Sequence, residues 1–427
     1  MRKTIVTGLL LSIAPFLFAQ KISSIFNVNE VSRIENVLAS DAMRGRKVYS
    51  PEIDKAADFI AAEFKTAGLK TWNSSSSFRQ EFATVNPKQL SLSVSFDNVA
   101  VDPQKILVVT CQPEFSIDQS SGYETASIKA GSNIFQQAAE LAGSEKNMII
   151  LVDSSFAKNF PRLSFFKRNI SKTDKNIVFI LGSELPKNFN VTAKHEIKEQ
   201  ELANVVGILP GKSKRDEYVI FSGHYDHIGL GNAVNGDSIF NGANDDAAGT
   251  TAVIMLAKYF AAEKNNERTL VFAAFTAEEV GGFGSQYFSK QFPADKVMAM
   301  FNIEMIGTES KWGKNSAYIT GYEKTDMGTI LQKNLEGTGF SFHPDPYPDQ
   351  QLFYRSDNAT LARLGVPAHT ISTSKMDSEP NYHKVSDQVE TLDMENMAMI
   401  IQSIALSSKT IVAGKESPSR VKKEDLK

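Results

Sequence analysis

The sequence predicts an α/β protein: a three-layer α/β/α core with a central mixed, mostly parallel sheet, plus a β-rich inserted subdomain. Three observations lead to this prediction. Short apolar runs typical of buried strands alternate with helical segments over residues 203–413, a pattern that favours a sheet covered by helices. Residues 85–202 lack this regular alternation and separate that region from the N-terminal helices. At 427 residues, the chain is long enough for one large domain or two smaller ones.

The first residues have the composition of a secretory signal peptide. Arg2 and Lys3 precede an apolar run over residues 5–18, and the small residue Ala19 follows it. This is the order of charge, apolar core and small residue that such peptides have. Because the run is shorter than the roughly 20 residues that a membrane span needs, we expect residues 1–19 to be removed. The mature protein would then be exported to the periplasm or the medium, without stable membrane insertion.

The N-terminal part of the predicted core, residues 20–84, is mainly helical. Its helix over residues 50–68 begins with a proline and ends with a glycine, as is typical of helix termini. Residues 85–202 alternate apolar runs with lysine-rich connections, which indicates a β-rich subdomain that could be a packing element or a lid over a site. Residues 414–427 are rich in Lys, Glu and Ser and are expected to form a frayed polar tail.

Histidines and acidic residues are concentrated where apolar runs end. A predicted strand over residues 218–221 leads into a His-Tyr-Asp-His cluster at 224–227, and a predicted strand over residues 269–275 leads into paired glutamates at 278–279. Between them, two aspartates open a predicted helix over residues 250–262. Ligand sites of open α/β sheets lie beyond the carboxyl ends of the strands. Imidazole and carboxylate groups at such ends suit a divalent metal ion of the zinc type.

Each of these residues also has an ordinary structural explanation when it is considered alone. A histidine at a strand end is usually structural, aspartates before a helix are good caps, and adjacent glutamates usually lie on a solvated surface. His227 is ambiguous between a structural and a metal-binding role, and Asp246 is compatible with capping alone. Several such clusters in order along one chain are a much stronger signal than any one of them.

Two further residues complete the set of candidates. Glu304 ends an otherwise apolar strand, where an unpaired charge costs free energy. His383 follows Tyr382 in a polar segment. Asp226 lies two residues beyond His224 and could fix its imidazole through the second ring nitrogen.

Five motifs carry a family resemblance: His-Tyr-Asp-His at 224–227, Asn-Asp-Asp-Ala-Ala-Gly at 244–249, Ala-Glu-Glu-Val-Gly at 277–281, Asn-Ile-Glu-Met-Ile-Gly at 302–307 and Tyr-His at 382–383. Together they resemble the secreted bacterial zinc aminopeptidases of the co-catalytic dizinc exopeptidase superfamily, which is related to glutamate carboxypeptidase, the transferrin receptor and glutaminyl cyclases. Arg-Ser-Asp at 355–357 and Gly-Val-Pro at 365–367 also match a family segment that helps to line the substrate pocket. The insertion lies where relatives often have a protease-associated domain, which it matches only weakly.

The resemblance implies a centre of two zinc ions. Asp245 would bridge the two ions, His224 and Glu304 would hold one of them, and Glu279 and His383 would hold the other. Most members of the family have aspartate where this chain has Glu304. The longer side chain can still bind a metal ion, but it changes the reach of this ligand.

The resemblance also implies three catalytic roles. Glu278 would be the general base, Asp226 would orient His224, and Tyr382 would help to stabilise the tetrahedral intermediate or be only a packing aromatic. Two metal ions roughly 3.5–4 Å apart can polarise a scissile carbonyl and lower the pKa of bound water towards about 7. A positioned general base adds roughly 10²–10⁴-fold to the rate.

We therefore expect a secreted zinc-dependent aminopeptidase that acts on the N-terminal residues of peptides. A dizinc carboxypeptidase or dipeptidase shares the metal core and is the first alternative. A glutaminyl cyclase-like enzyme is less favoured, because the motif at 244–249 resembles the peptidase version. A non-catalytic receptor-like domain is also less favoured, because every ligand position holds a competent residue. The formal net charge of −3 argues against nucleic acid as the main partner.

Overall fold

The structure is a computed structural model that describes residues 25–144 and 146–426. The predicted signal peptide, residues 1–19, lies outside the described residues. The chain divides into two compact units: the larger contains the residues up to 81 and those from 202 onward, and the smaller contains residues 82–201. Within the described residues, no helix is both long enough and apolar enough to cross a membrane.

Helices and strands alternate along most of the chain. The α-helices are α1 (Val28–Leu38), α2 (Pro51–Ala67), α3 (Ile134–Ala142), α4 (Ala248–Glu263), α5 (Phe283–Ser289), α6 (Met327–Asn334), α7 (Asn358–Arg363), α8 (Met394–Ser407) and α9 (Lys409–Val412). The strands are β1 (Lys70–Thr71), β2 (Arg79–Phe96), β3 (Val99–Ala100), β4 (Ile106–Val109), β5 (Glu114–Asp118), β6 (Glu124–Ile128), β7 (Met148–Val152), β8 (Ile170–Ser171), β9 (Ile177–Leu181), β10 (Phe189–Leu209), β11 (Lys214–His224), β12 (Gly229–Val234), β13 (Asp237–Phe240), β14 (Arg268–Phe275), β15 (Val297–Ile303), β16 (Ser316–Ile319), β17 (Ser341–Pro344) and β18 (Ala368–Ser372).

The larger unit is built on a mixed sheet with strand order β17-β16-β18-β15-β11-β14-β10. The central strands β18, β15, β11 and β14 are parallel to one another. The residues of β10 that belong to this unit pair antiparallel with β14, and β16 pairs antiparallel with β18. These pairings confirm the predicted mixed, mostly parallel sheet.

Successive side chains of a strand point to opposite sides of the sheet. Both faces of this sheet are buried, because helices cover each of them. On one face, Phe221 of β11 stacks with Phe272 of β14 and Phe301 of β15, at centroid distances of 5.6 and 4.9 Å. Helices α1, α2, α4 and α8 cover this face. Ile220 belongs to the core on the other face, which α5 and α7 cover. The predicted α/β/α layering is therefore confirmed.

Helix α4 directly follows the segment that carries Asp245 and Asp246 and holds that segment in place. It contains the predicted helix over residues 250–262, and most of its residues are buried. A helix that is apolar all round belongs in the centre of a domain. The residues that precede it, 243–247, are therefore fixed at the end of a rigid element.

The smaller unit, residues 82–201, is rich in strands. It contains a four-stranded sheet with the order β4-β9-β7-β6, in which β6, β7 and β9 are parallel and β4 pairs antiparallel with β9. Two apolar clusters lie on the two faces of this sheet. Helix α3, which Asn133 caps, contributes to one of them.

The prediction of a frayed tail is wrong for residues 416–421. Val421 is buried, and the Arg420 guanidinium donates to the carbonyl oxygen of Val297 at 2.7 Å. The buried Arg268 donates to the carbonyl oxygen of Glu416 at 2.7 Å. A buried guanidinium needs acceptors, and the polar C-terminal segment supplies two of them, the carbonyl oxygen of Glu416 and the hydroxyl of Ser417.

Candidate metal centre

The candidate residues meet beyond the carboxyl ends of adjacent parallel strands. β11 ends at His224, β14 ends three residues before Glu278, and β15 ends immediately before Glu304. Because β11 pairs in parallel with both β14 and β15, the segments that follow these strands begin side by side. The Glu304 backbone N–H also donates to the carbonyl oxygen of Ile371 in β18 at 3.1 Å.

Asp245 lies between two histidines. Its Oδ1 is 3.2 Å from His224 Nε2, and its Oδ2 is 3.2 Å from His383 Nε2. Glu304 Oε1 lies 3.6 Å from His224 Nε2, and Glu279 Oε2 lies 3.2 Å from His383 Nε2. Two groups of three side chains therefore share Asp245, in the combinations that the family resemblance implies.

These distances fit two divalent metal ions. Zinc ligands lie about 2.0–2.2 Å from the ion, so ligand atoms of a tetrahedral site are roughly 3.3 Å from one another. Although two carboxylates are near it, the buried His224 Nε2 forms no directed hydrogen bond. A nitrogen in this position satisfies its lone pair when it binds a cation, and the imidazole and carboxylate donors are those that zinc prefers.

Asp226 supports the centre through both its backbone and its side chain. His224 Nδ1 lies 3.1 Å from the Asp226 carbonyl oxygen and 3.7 Å from its carboxylate. Since a carbonyl oxygen only accepts, Nδ1 carries the proton and Nε2 is left with its lone pair. The Asp226 carboxylate instead accepts from the backbone N–H groups of Glu278 and Glu279, at 3.1 and 3.3 Å.

Asp246 connects segments of the chain and is not one of the four residues grouped around Asp245. Its Oδ2 accepts from the His224 N–H at 3.1 Å, and its Oδ1 accepts from the N–H groups of Gly249 and Met305, both at 3.0 Å. The cap at the start of α4 that the sequence suggested is therefore also a link between β11 and β15. A Cβ at Gly249 would lie 2.1 Å from the Ile303 carbonyl oxygen, so this close approach requires glycine.

Glu278 is largely buried beside the two groups of ligands. Burial raises the pKa of its carboxyl well above the ordinary value; Glu304 and Asp357 raise it further, while His224 opposes the rise. A carboxylate with a raised pKa is a better proton acceptor. Positive charge brought by bound cations would lower this pKa again and keep the group ionised.

Two of the ligand carboxylates, those of Glu279 and Asp245, are held ionised by their histidines. Burial would raise the pKa of Glu279, but His227 and His383 outweigh it and lower the pKa to about 2. The pKa of Asp245 is likewise lowered, because His224 and His383 outweigh burial. Contacts with Asp245 and Glu279 raise the pKa of His383 to about 10. A metal ion must therefore displace a proton from His383, which makes metal binding weaker at low pH.

A pocket opens beside Glu278 and His383. Its lining comprises Asp245, Glu278, Glu304, Met305, Tyr318, Thr320, Leu352, Arg355, Ser356, Thr370, Ser372, Met376, Tyr382 and His383. Tyr382 stacks on His383 at a centroid distance of 4.0 Å. Burial raises the pKa of Tyr382 to about 12, so its hydroxyl keeps its proton and can donate a hydrogen bond.

Arg46 supports the centre and was not predicted from the sequence. It is fully buried, and its guanidinium donates to four carbonyl oxygens: Tyr225 at 2.8 Å, Leu38 at 2.7 Å, Asn241 at 2.6 Å and Gly242 at 2.8 Å. It thereby fixes the segments that precede Asp226 and Asp245. The only local signal is an arginine after glycine in a loop, which is too weak to indicate this role.

Asp387 is a second support that the sequence did not indicate. Its carboxylate accepts from the backbone N–H groups of Asn244 and Asp245, at 2.8 and 3.0 Å. Burial is the main cause that raises the pKa of Asp387 to about 7. Its position four residues after His383 was the only available signal.

One protein-family model matches the part of the chain that contains the centre. The family model for peptidase family M28 matches residues 204–407, which is 204 of the 427 residues and includes every candidate of the centre. A probable leucine aminopeptidase of Trichophyton verrucosum is 29% identical over 204 residues, covering 45% of this chain and 53% of that protein. The chain thus spans about half the length of the curated relatives that it matches.

Solved structures show the same fold. An aminopeptidase from Aneurinibacillus sp. strain AM-1 is 17% identical, with a TM-score of 0.54 and coverage of 95% of this chain and 98% of that chain. A zinc aminopeptidase from Bacillus subtilis is also 17% identical, with a TM-score of 0.53 and coverage of 94% and 99%. The α/β architecture of this chain is therefore shared with these proteins.

Proposed function

We propose that this chain, which carries a peptidase family M28 domain over residues 204–407, is a zinc-dependent aminopeptidase. The observation that carries the proposal is Asp245, placed between two groups that each add one histidine and one glutamate. The probable leucine aminopeptidase among its relatives supports the same activity. The reaction would be hydrolysis of the peptide bond after the N-terminal residue of a peptide.

Two zinc ions are proposed to occupy the centre. His224 and Glu304 would hold one ion, Glu279 and His383 the other, and Asp245 would bind both. Bound zinc supplies Lewis acidity, which polarises the scissile carbonyl and makes the attacking water more acidic. Glu304 is compatible with this role because its carboxylate reaches 3.6 Å from His224 Nε2.

Glu278 is proposed to act as the general base. Its carboxylate would take a proton from the attacking water and pass it to the nitrogen of the leaving amine. The position of Glu278 in the pocket, beside Asp245 and Glu304, suits both transfers, since the same group must accept the proton and then release it. Tyr382, which lines the same pocket, would donate a hydrogen bond to the oxygen that becomes negative during the attack.

The pocket lining favours an apolar N-terminal residue. Met305, Leu352 and Met376 lie in the same pocket as Glu278, and apolar walls gain free energy when they bury an apolar side chain. We therefore propose leucine-like residues as the preferred N-terminal residues. The gain per methylene is roughly 0.8 kcal/mol, so leucine should be preferred over alanine by at least one order of magnitude.

Arg355 favours a second candidate, a dizinc carboxypeptidase or dipeptidase. Its guanidinium lines the pocket, and arginine binds carboxylates in a planar, two-pronged geometry. In an aminopeptidase, Arg355 would have no such carboxylate to bind in long substrates. Peptides blocked at one end separate the two candidates: an aminopeptidase cleaves C-amidated peptides, whereas a carboxypeptidase cleaves N-acetylated ones.

Residues 1–19 lead us to propose export to the periplasm or the medium. The order of charge, apolar core and small residue in this segment supports the proposal. N-terminal sequencing of the protein from fractionated cells tests it. A mature protein that begins near residue 20 outside the cytoplasm is expected, whereas an intact Met1 in the cytoplasm contradicts it.

The decisive experiment returns zinc stepwise to chelator-stripped protein while hydrolysis of a leucyl anilide is measured. We expect activity to saturate near two equivalents of zinc. Glu278→Gln, which keeps the side-chain volume, should still bind zinc but lose roughly 10²–10⁴-fold in kcat. Full activity of this variant, or no hydrolysis at any zinc level, contradicts the proposal.

A further inference from the structure

His227 lies against the second group of ligands and has no other polar partner for its ring. Its Nδ1 is 2.7 Å from Glu279 Oε1, and its side chain is 0% exposed. It can also form a ligand group with Asp245 and Glu279, in which the three ligand atoms lie within 4.8 Å of one another. His383 approaches the same Glu279 through the other carboxylate oxygen, Oε2, at 3.2 Å.

The short distance between His227 and Glu279 is not accompanied by a directed hydrogen bond. Neither ring nitrogen of His227, nor Glu279 Oε1, has a hydrogen-bond partner. The same is true of His224 Nε2, which faces the other group of carboxylates. Buried polar atoms are normally paired. A nitrogen and a carboxylate oxygen that lie close together without a hydrogen bond between them can both bind the same third atom. Between an imidazole and a carboxylate, that atom is a cation.

The surroundings hold His227 in this position. Its backbone N–H donates to the Arg46 carbonyl oxygen at 3.3 Å. On the face of its ring, a Cβ at Gly242 would lie 2.5 Å from both Cγ and Cδ2 of the imidazole, so only glycine leaves room for the ring. The ring of His383 stands 5.8 Å away at an interplanar angle of 71°. The imidazole is therefore packed in place and cannot turn towards water.

We propose that His227 is a further ligand of the metal position formed by Asp245, Glu279 and His383. This inference rests on the proposed function only in that it takes the same metal ion, zinc. Nδ1 is the ligating atom, because it is the nitrogen that faces Glu279. The position would then have four protein ligands, whereas the position of His224, Asp245 and Glu304 has three.

The difference in ligand number gives the two positions different tasks. Zinc sites with four protein ligands are typically closed, whereas catalytic zinc sites keep a position open for water or substrate. The position with His227 should therefore bind zinc more tightly and hold it during turnover. The position with Glu304 should bind zinc more weakly and present the open side to the pocket.

Zinc titration of chelator-stripped protein with a competing chromophoric chelator tests the assignment. The wild-type protein should show a tight and a weak site. His227→Ala should weaken the tight site by more than the roughly 10–100-fold that loss of a merely supporting residue costs. The visible absorption of cobalt(II) at the tight site should change in the same variant. His343→Ala, at a histidine outside the centre, is the matched control and should leave both sites unchanged.

His227→Asn separates ligation from hydrogen bonding, because its amide N–H can replace a donor at the position of Nδ1. If this variant restores tight binding, His227 acts as a donor to Glu279 and the inference is wrong. Unchanged zinc affinity and cobalt spectrum in a folded His227→Ala variant also overturn it. The wild-type titration tests the proposed function separately: two zinc sites with leucyl anilide hydrolysis leave that function standing whatever the variants show.

Discussion

Asp226 is the residue whose observed role differs most from the predicted one. Its carboxylate accepts from the backbone N–H groups of Glu278 and Glu279, and His224 is oriented by the Asp226 carbonyl oxygen. In Asp226→Asn, an amide NH₂ must face one of the two N–H groups. Loss of one such bond costs about 1.5–3 kcal/mol, so we expect kcat/KM for leucyl anilide to fall roughly 10–100-fold.

The same substitution should change zinc affinity little, because the backbone oxygen that orients His224 is kept. Asp216→Asn, at the exposed start of β11, is the control and should have wild-type kinetics. A large loss of zinc with unchanged kcat in the zinc-loaded enzyme would mean that the carboxylate acts on His224 after all. Unchanged kcat/KM would remove Asp226 from the catalytic support.

Glu35 is a buried acid that should make stability depend on pH. Its Oε2 accepts from Thr251 Oγ1 at 2.7 Å, and burial raises its pKa from 4.5 to about 8. The folded state therefore keeps a proton that the unfolded state loses above about pH 4.5. As the pH rises from about 4.5 to about 8, this group lowers the free energy of unfolding, by about 1.4 kcal/mol for each unit of pKa difference.

Glu35→Gln removes this titration. Its melting temperature minus that of the wild type should therefore rise between pH 5 and 8 and then level off, with chelator present throughout. Glu336→Gln, at an exposed position of the same unit, is the control. A difference for Glu35→Gln that stays constant with pH would show that the carboxyl is already ionised at pH 5 in the folded protein.

At the scale of elements, Arg46 ties the loop before α2 to the segments that carry the ligands. Its planar guanidinium bonds to four carbonyl oxygens, whereas the ammonium group of lysine has only three donors on one atom. We expect Arg46→Lys to lower zinc affinity roughly 10–100-fold and to lower the melting temperature of the chelator-treated protein. Arg363→Lys, exposed on α7, should do neither.

Zinc affinity distinguishes a positioning role of Arg46 from a general structural one. If Arg46→Lys melts earlier but binds zinc as the wild type does, Arg46 stabilises the fold without organising the centre. If both properties are unchanged, the four bonds contribute nothing measurable.

The elements around the centre were predictable because their signals are local. The predicted strands over residues 218–221 and 269–275 lie within β11 and β14, and the predicted helix over 250–262 lies within α4. The candidate ligands were visible because they directly follow these elements. Arg46 was not, because its partners are backbone atoms as far as 196 residues away in sequence, and the sequence does not reveal which backbone oxygens a distant guanidinium will meet.

The prediction for the C-terminal segment was wrong for a related reason. Its composition is that of a solvated tail, yet Glu416 supplies its backbone carbonyl oxygen to Arg268, and Val421 is buried. Composition reports side-chain polarity, whereas this segment is held partly through its backbone. The structure therefore adds most where backbone atoms meet side chains from distant parts of the chain.

At the scale of the whole molecule, the larger unit has many buried or partly buried carboxyl groups around the candidate metal centre. The carboxyl groups involved are those of Asp226, Asp245, Asp246, Glu278, Glu279, Glu304, Asp357 and Asp387. Burial is the main cause that raises the pKa of Asp226 and Asp387 to about 7 and of Asp357 to about 6. In the metal-free protein, these three aspartates ionise in the folded state only at a cost in free energy, so its stability should fall as the pH rises from about 4 to 7.

Zinc should therefore stabilise this protein strongly, and more so at neutral than at acid pH. A ligand at 1,000 times its dissociation constant adds about 4 kcal/mol to the free energy of unfolding. Because the pKa of His383 is raised to about 10, zinc must displace its proton at both pH values, and this displacement costs more free energy as the pH falls. We expect calorimetry to show a melting temperature that rises with zinc at pH 7.5 and hardly changes at pH 5. Asp245→Asn, which weakens both positions, should lose most of this rise. A zinc-dependent rise of the same size in Asp245→Asn would place the stabilising metal elsewhere in the chain, and the assignment of the centre would fall with it.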